Sequence, residues 1–144
     1  MVSLIEYMWT CPKCGRSFLR RDQNHACERV TVEGLFHKRR PALRLLYERL
    51  VRTIRRFGDF REEAVNPGVI FFKTRTSFLS VKLRKDDLVV TFYLDHLEDA
   101  PPIFKHLQTS RRRFAHSVTI SEPEDITPQL RKWIKRSYTL TAKA

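Results

Sequence analysis

Phe78-Leu-Ser-Val-Lys-Leu83-Arg-Lys-Asp-Asp-Leu88-Val-Val-Thr-Phe-Tyr-Leu94 is the stretch whose reading decides the fold. From Phe78 to Leu83 apolar and polar residues alternate, with Leu79, Val81 and Leu83 on one face, which is the period of a half-buried strand. Lys85-Asp86-Asp87 is turn chemistry, and residues 88–94 are rich in β-branched and aromatic side chains. Together they predict an antiparallel hairpin. Just upstream, the apolar run Val69-Ile-Phe-Phe72 behind Asn66-Pro67-Gly68 predicts one more strand, and Phe114 to Ile120 predicts a fourth. Residues 95–110, interrupted by Pro101-Pro102, read as a loop holding one helical turn.

Helical periods flank this block. Pro41 suits a first helical position, and Leu43, Leu46, Tyr47, Leu50, Val51, Ile54 and Phe57 follow at helical spacing before the stop signal Gly58. The opposite face carries Arg44, Glu48, Arg49, Arg52, Arg55 and Arg56, which makes the helix amphipathic and strongly basic. Thr127-Pro128 opens a second helix with Leu130, Trp133, Ile134 and Tyr138 as its buried stripe and Arg131, Lys132, Lys135 and Arg136 toward water. Before the first helix, Thr31 could cap a short turn that places Val32, Leu35 and Phe36 on the core. The pattern predicts an α+β fold: a four-stranded, mainly antiparallel sheet with helices packed on one face, over residues 31–144.

Residues 1–30 read differently. All three cysteines fall here, in Cys11-Pro-Lys-Cys14-Gly15 and His25-Ala-Cys27. Disulfide frameworks carry even cysteine counts spread along a chain, whereas C-x2-C with a further His-x-Cys offers one divalent ion a closed set of four ligands. Cys11, Cys14, His25 and Cys27 are therefore expected to hold a structural Zn2+. This ion would fold a segment too short to bury its own core and would leave no open position for catalysis. A thioredoxin-like pair would need a surrounding βαβ unit, and none is visible.

The 144 residues carry 28 Lys and Arg against 16 Asp and Glu, a formal charge of +12, with a pI near 10.2. Such an excess points to an anionic partner, most often nucleic acid. Its groups cluster as Lys13, Arg16, Arg20 and Arg21 in the zinc segment, Lys38-Arg39-Arg40, the helix face Arg49, Arg52 and Arg56, and Arg111-Arg112-Arg113. No apolar run approaches the ~20 residues of a membrane span, and no leader pattern opens the chain, so a cytoplasmic protein is expected.

Catalytic patterns are missing: there is no nucleophile elbow, phosphate-binding Gly loop or zincin helix, and the acids are scattered. A non-catalytic nucleic-acid-binding protein is the first expectation. The alternative is a module for a small ligand or a protein partner, with the zinc purely structural and a pocket near Lys73, Arg75 and His116. His116 shares a strand face with Phe114, Val118 and Ile120. It reads either as an anion contact or base beside the arginine triplet, or as a core histidine hydrogen-bonded to backbone.

The segment Cys-Pro-Lys-Cys-Gly-Arg-Ser-Phe with Arg21-x-Gln23-x-His25-x-Cys27 resembles the zinc knuckle that precedes a bacterial domain-of-unknown-function family, number 5655. The resemblance continues through Phe36, Leu46-Tyr47-x-x-Leu50, Lys73-Thr74, Phe78, and Ser121 leading through Glu124-Asp125-Ile126 to Leu130-x-x-Trp133-Ile134-x-x-x-Tyr138. It supports the architecture and implies no activity. The chain departs from the family pattern at Ser137, where a small Ala is usual, a difference expected to touch packing alone.

Overall fold

The computed structural model describes residues 9–10, 17–18 and 30–143. The chain divides into two units, Met1–Val30 and Thr31–Ala144. In the first, β1 (Trp9–Thr10) pairs antiparallel with β2 (Ser17–Phe18), Trp9 opposite Phe18 and Thr10 opposite Ser17. The proposed zinc ligands Cys11, Cys14, His25 and Cys27 lie outside the described residues, as do Lys13, Arg16, Arg20 and Arg21.

The second unit opens with α1 (Val32–Phe36), whose first turn is capped by the Thr31 hydroxyl accepting from the Gly34 amide at 2.9 Å. Next comes α2 (Pro41–Arg55), which buries Leu43, Leu46, Tyr47, Leu50 and Ile54. Gly58, with φ of 146°, then turns the chain beneath Tyr138; a Cβ there would lie 2.2 Å from the tyrosine oxygen, so only glycine fits. Six strands follow: β3 (Arg61–Val65), β4 (Val69–Lys73), β5 (Ser77–Leu83), β6 (Leu88–Leu94), β7 (Lys105–Ser110) and β8 (Arg113–Ile120). They form one antiparallel sheet in the order β3-β4-β5-β6-β8-β7. α3 (Pro128–Lys143) closes the unit after a short turn at Pro123–Asp125. No described helix is long and apolar enough to cross a membrane.

The sheet therefore has six strands where four were expected. The two that sequence reading missed, Arg-Glu-Glu-Ala-Val at β3 and Lys-His-Leu-Gln-Thr-Ser at β7, are its two edges. An edge strand is half solvated and its side chains are polar, so it carries little alternation to detect. β3 even turns Glu62 toward the helices, opposite buried Phe72. That carboxylate accepts a short hydrogen bond from the Tyr47 hydroxyl and pairs with Arg55 at 3.5 Å. Burial, reinforced by Glu62, pushes the Tyr47 phenol well above its ordinary range.

The helices cover one face. Phe72, Leu79 and Phe92 are register partners across β4, β5 and β6, so they share that face. Tyr47 of α2 meets Phe72 edge-on, and Trp133 of α3 stacks on Phe92 at 5.4 Å. Ile70, Phe72, Phe78, Leu79, Val81, Leu88, Val90, Phe92 and Ile120 are completely buried.

A bulge interrupts this regularity. Phe72 opposes Leu79, but Lys73 opposes Ser77, which leaves Phe78 as the extra residue on β5. Both Phe78 and Leu79 thereby reach the core. Beyond Leu79 and Phe92 the β5–β6 ladder stops, and Ser137 of α3 inserts its hydroxyl there. It accepts from the Tyr93 amide at 3.0 Å and donates to the Phe78 carbonyl at 2.6 Å. The residue expected to matter for packing alone thus satisfies two backbone groups that the bulge frees.

His116 is the one fully buried histidine among the described residues. Its ring stacks on Phe92 at 5.4 Å and its Nε2 accepts the Glu98 amide at 2.9 Å, tying the 95–104 connection to the sheet. This is the core-histidine reading. Nε2 must be unprotonated to accept, and Nδ1 is buried without a hydrogen-bond partner. Burial holds its pKa below the ordinary 6.5, only partly opposed by the Phe114 backbone.

Two outcomes are expected. Ser137→Ala, which strands a buried carbonyl and an amide, should cost about 1–3 kcal/mol in urea unfolding; an unchanged midpoint would show that the bulge relaxes onto another partner. The depressed His116 pKa means that the unfolded chain binds more protons below pH 6.5. Stability should therefore hold above that pH and fall as pH drops through the depressed folded value, by at most about 1.4 kcal/mol per pH unit. Exposed His96, raised by its hydrogen bond to Asp95, opposes this weakly. His116→Phe should remove most of the slope between pH 7.5 and 5; a slope that persists would assign it elsewhere.

Candidate functional site

Most arginines of the second unit are consumed by the fold. Arg39 donates to the Leu35 and Arg84 carbonyls, both at 3.2 Å. Arg40 pairs with Asp86 at 2.8 Å, Arg84 with Asp87 at 2.6 Å, and Arg136 with Asp95 at 3.6 Å. Arg44 reaches Glu33 and Glu48. Arg55 lies over the Phe60 ring at 3.8 Å as well as against Glu62. Arg113 lies 3.9 Å above the Tyr93 ring and donates to the Ser77 carbonyl at 2.6 Å.

Four arginines are left over in one place. Arg49 and Arg52 of α2, Arg56 at its C-cap and Arg131 of α3 line a single cleft of about 430 Å³ together with Thr53, Pro123 and Ile126. None of their guanidinium groups forms an ion pair or donates a hydrogen bond among the described residues. The cleft follows from local structure. Leu46, Leu50 and Ile54 are drawn to the sheet, so positions 49, 52 and 56 are turned outward on the other side of the same helix. α3 packs beside α2 with Leu130 and Trp133 buried, which leaves Arg131 facing out. The turn that forms the cleft floor is held by Asp125, whose carboxylate accepts from the Ser121 and Glu122 amides and the Ser121 hydroxyl. Those bonds, the Ser121 amide first, hold the Asp125 pKa below its usual value. The acid nearest in sequence to Arg131 is thus already committed to backbone.

The sequence-named residues distribute as follows. Arg49, Arg52 and Arg56 come together, and the structure adds Arg131, read from sequence only as facing water. Arg39 and Arg40 border a second hollow of about 580 Å³ with Lys38 and Lys85, but both guanidiniums are engaged there. Arg111 and Arg112 are exposed at the β7–β8 turn, and Arg112 shares a hollow of about 430 Å³ with the engaged Arg113. The small-ligand trio does not assemble. Lys73 pairs with Glu63 and sits 5.9 Å from the Phe71 ring on the uncovered sheet face, Arg75 is exposed in the β4–β5 turn, and His116 is buried on the opposite face. Strand parity separates them. Among the described residues no group of three or more His, Cys, Asp or Glu could hold a metal.

A family model matches residues 32–141, from α1 through α3: that of a domain of unknown function, DUF5655. The cysteine-bearing segment lies outside that span. No curated protein and no solved structure matches the chain. The match takes in the sheet, both long helices and the arginine cleft between them, and on that coverage the chain belongs to the DUF5655 family.

Proposed function

We propose that the protein binds nucleic acid through phosphate contacts centred on the Arg49–Arg52–Arg56–Arg131 cleft, without catalysis. The observation that carries this reading is the four unpaired guanidinium groups converging from two helices. Like charges held together disfavour the folded state unless an anion compensates them, and guanidinium forks suit phosphate oxygens. The seven steps from Arg49 to Arg56 at the helix C-cap advance about 10 Å. A duplex segment of that length carries about six phosphate charges, so the cleft favours a polyanion over an isolated anion. Among the described residues no aromatic side chain lines the cleft, which favours a sequence-tolerant backbone grip.

Residues 1–30 add a second gripping element in this reading. Between the paired residues Thr10 and Ser17 the sequence places Cys11 and Cys14 at the C-x2-C spacing of a zinc turn. Cys11, Cys14, His25 and Cys27 would hold the ion, and its contribution is structural. The protein is placed in the cytoplasm, where thiolates remain reduced.

If all four cleft arginines meet phosphate, affinity for a 20-base-pair duplex should fall with salt at a log–log slope of at least about −3.6. Each Arg→Ala change in the cleft should flatten the slope by about 0.9, while Arg84→Ala, a residue engaged with Asp87, should leave it alone. Equal slopes for the quadruple cleft variant and the parent would remove the site from the reading. Separately, the purified full chain should carry one zinc per molecule by elemental analysis. Chelation should unfold the first unit while the far-ultraviolet signal of the sheet persists; a metal-free chain with an intact β1–β2 hairpin would end the zinc assignment.

A further inference from the structure

The two edges of the sheet are built unlike each other. β3 is protected: Glu62 is tied to Tyr47 and Arg55, Glu63 to Lys73, and Arg61 to the Thr74 carbonyl. On β7, Gln108 and Thr109 donate only to the Arg111 and Arg113 carbonyls of its own hairpin, and no ion pair engages the strand among the described residues. All six of its residues are exposed, and among the described residues no strand pairs with its side away from β8. A row of backbone donors and acceptors on such an edge is a template for another strand.

The same region holds most of the exposed large hydrophobic side chains among the described residues. Of the four large hydrophobic side chains that are exposed among the described residues, three fall between positions 97 and 107: Leu97 at 51%, Phe104 at 57% and Leu107 at 59%. Leu107 lies in the middle of β7, and Phe104 directly precedes it. Clustering of this kind marks an interaction surface, whereas single exposed residues such as Leu45 need no explanation.

Charge selects the partner. β7 contains no acid, carries Lys105, and ends in a turn whose Arg111 and Arg112 are exposed and make no ion pair among the described residues. A second copy of a chain with formal charge +12 would bring the same cations to the same edge. We infer that β7 receives an extended peptide segment of acidic and apolar residues from a partner protein, which adds a seventh strand to the sheet. Main-chain hydrogen bonds to β7 supply the affinity, apolar side chains of the peptide pack on Leu107, and its carboxylates, on the other face, meet the cations of the adjoining turn, Arg111 and Arg112. This site is independent of the arginine cleft.

The test uses the full chain and a fluorescent seven-residue peptide of alternating glutamate and valine. Binding should be saturable, should slow amide exchange at residues 105–110, and should be lost when alternate peptide nitrogens are methylated, since that removes the ladder donors. Leu107→Lys, and Arg111→Glu with Arg112→Glu, should each weaken it about tenfold, whereas alanine at all four cleft arginines should leave it unchanged. Three results would overturn the proposal. Binding abolished by the cleft variant would make the peptide a mere competitor for phosphate contacts. Equal affinity of the methylated peptide would exclude strand addition. A peptide-free dimer that Leu107→Lys dissolves would give the edge to a second copy.

Discussion

The constraint on which this molecule depends is that one face of its sheet is an apolar field that water must not reach. Phe72, Leu79, Phe92 and their neighbours are completely buried, and two amphipathic helices are recruited to cover them. Burial is roughly proportional to apolar area removed from water and is indifferent to what lies on the far side of the covering helices. Once Leu46, Leu50 and Ile54 face the sheet from α2, and Leu130 and Trp133 from α3, the basic faces of both helices are turned outward beside each other. The arginine cleft is thus a by-product of core packing in its geometry. Its chemistry is a choice: some of those four positions could have held acids to neutralise the others, as Glu62 does for Arg55 and Asp87 for Arg84 elsewhere.

The bulge on β5 shows how closely the core and the helix layer are coupled. An extra residue at Phe78 gives the sheet one more buried aromatic, which meets Phe60, Phe72 and Tyr138 edge to face. The same insertion ends the ladder early, and a single hydroxyl on α3 repairs it from above. Backbone groups removed from water must find partners, so a sheet irregularity fixes the identity of a helix residue far away in sequence.

Charge is distributed with the same economy. Arg39, Arg40, Arg84 and Arg113 bind carbonyls, carboxylates or a ring within the fold. The formal excess of +12 overstates what is offered to a partner; among the described residues, the arginines without an ion pair or side-chain hydrogen bond gather at the α2–α3 cleft and the β7–β8 turn. The first suits phosphate, and the second lies beside an apolar strand edge and suits an acidic peptide.

The local periods were legible along the chain: the helix that opens at Pro41 and stops at Gly58, the helix from Pro128, the cap at Thr31, and the four strands that carry alternation or dense β-branched and aromatic residues. Those signals are legible because they arise from neighbours within a turn or two of chain. Only the tertiary structure decided the two polar edge strands, the face to which His116 belongs relative to Lys73, the task of Ser137, and the meeting of Arg131 with Arg49, Arg52 and Arg56. Each of these depends on which distant segments lie side by side. A residue's pattern of neighbours along the chain records its preferred face, but not what stands opposite that face once the chain has closed on itself.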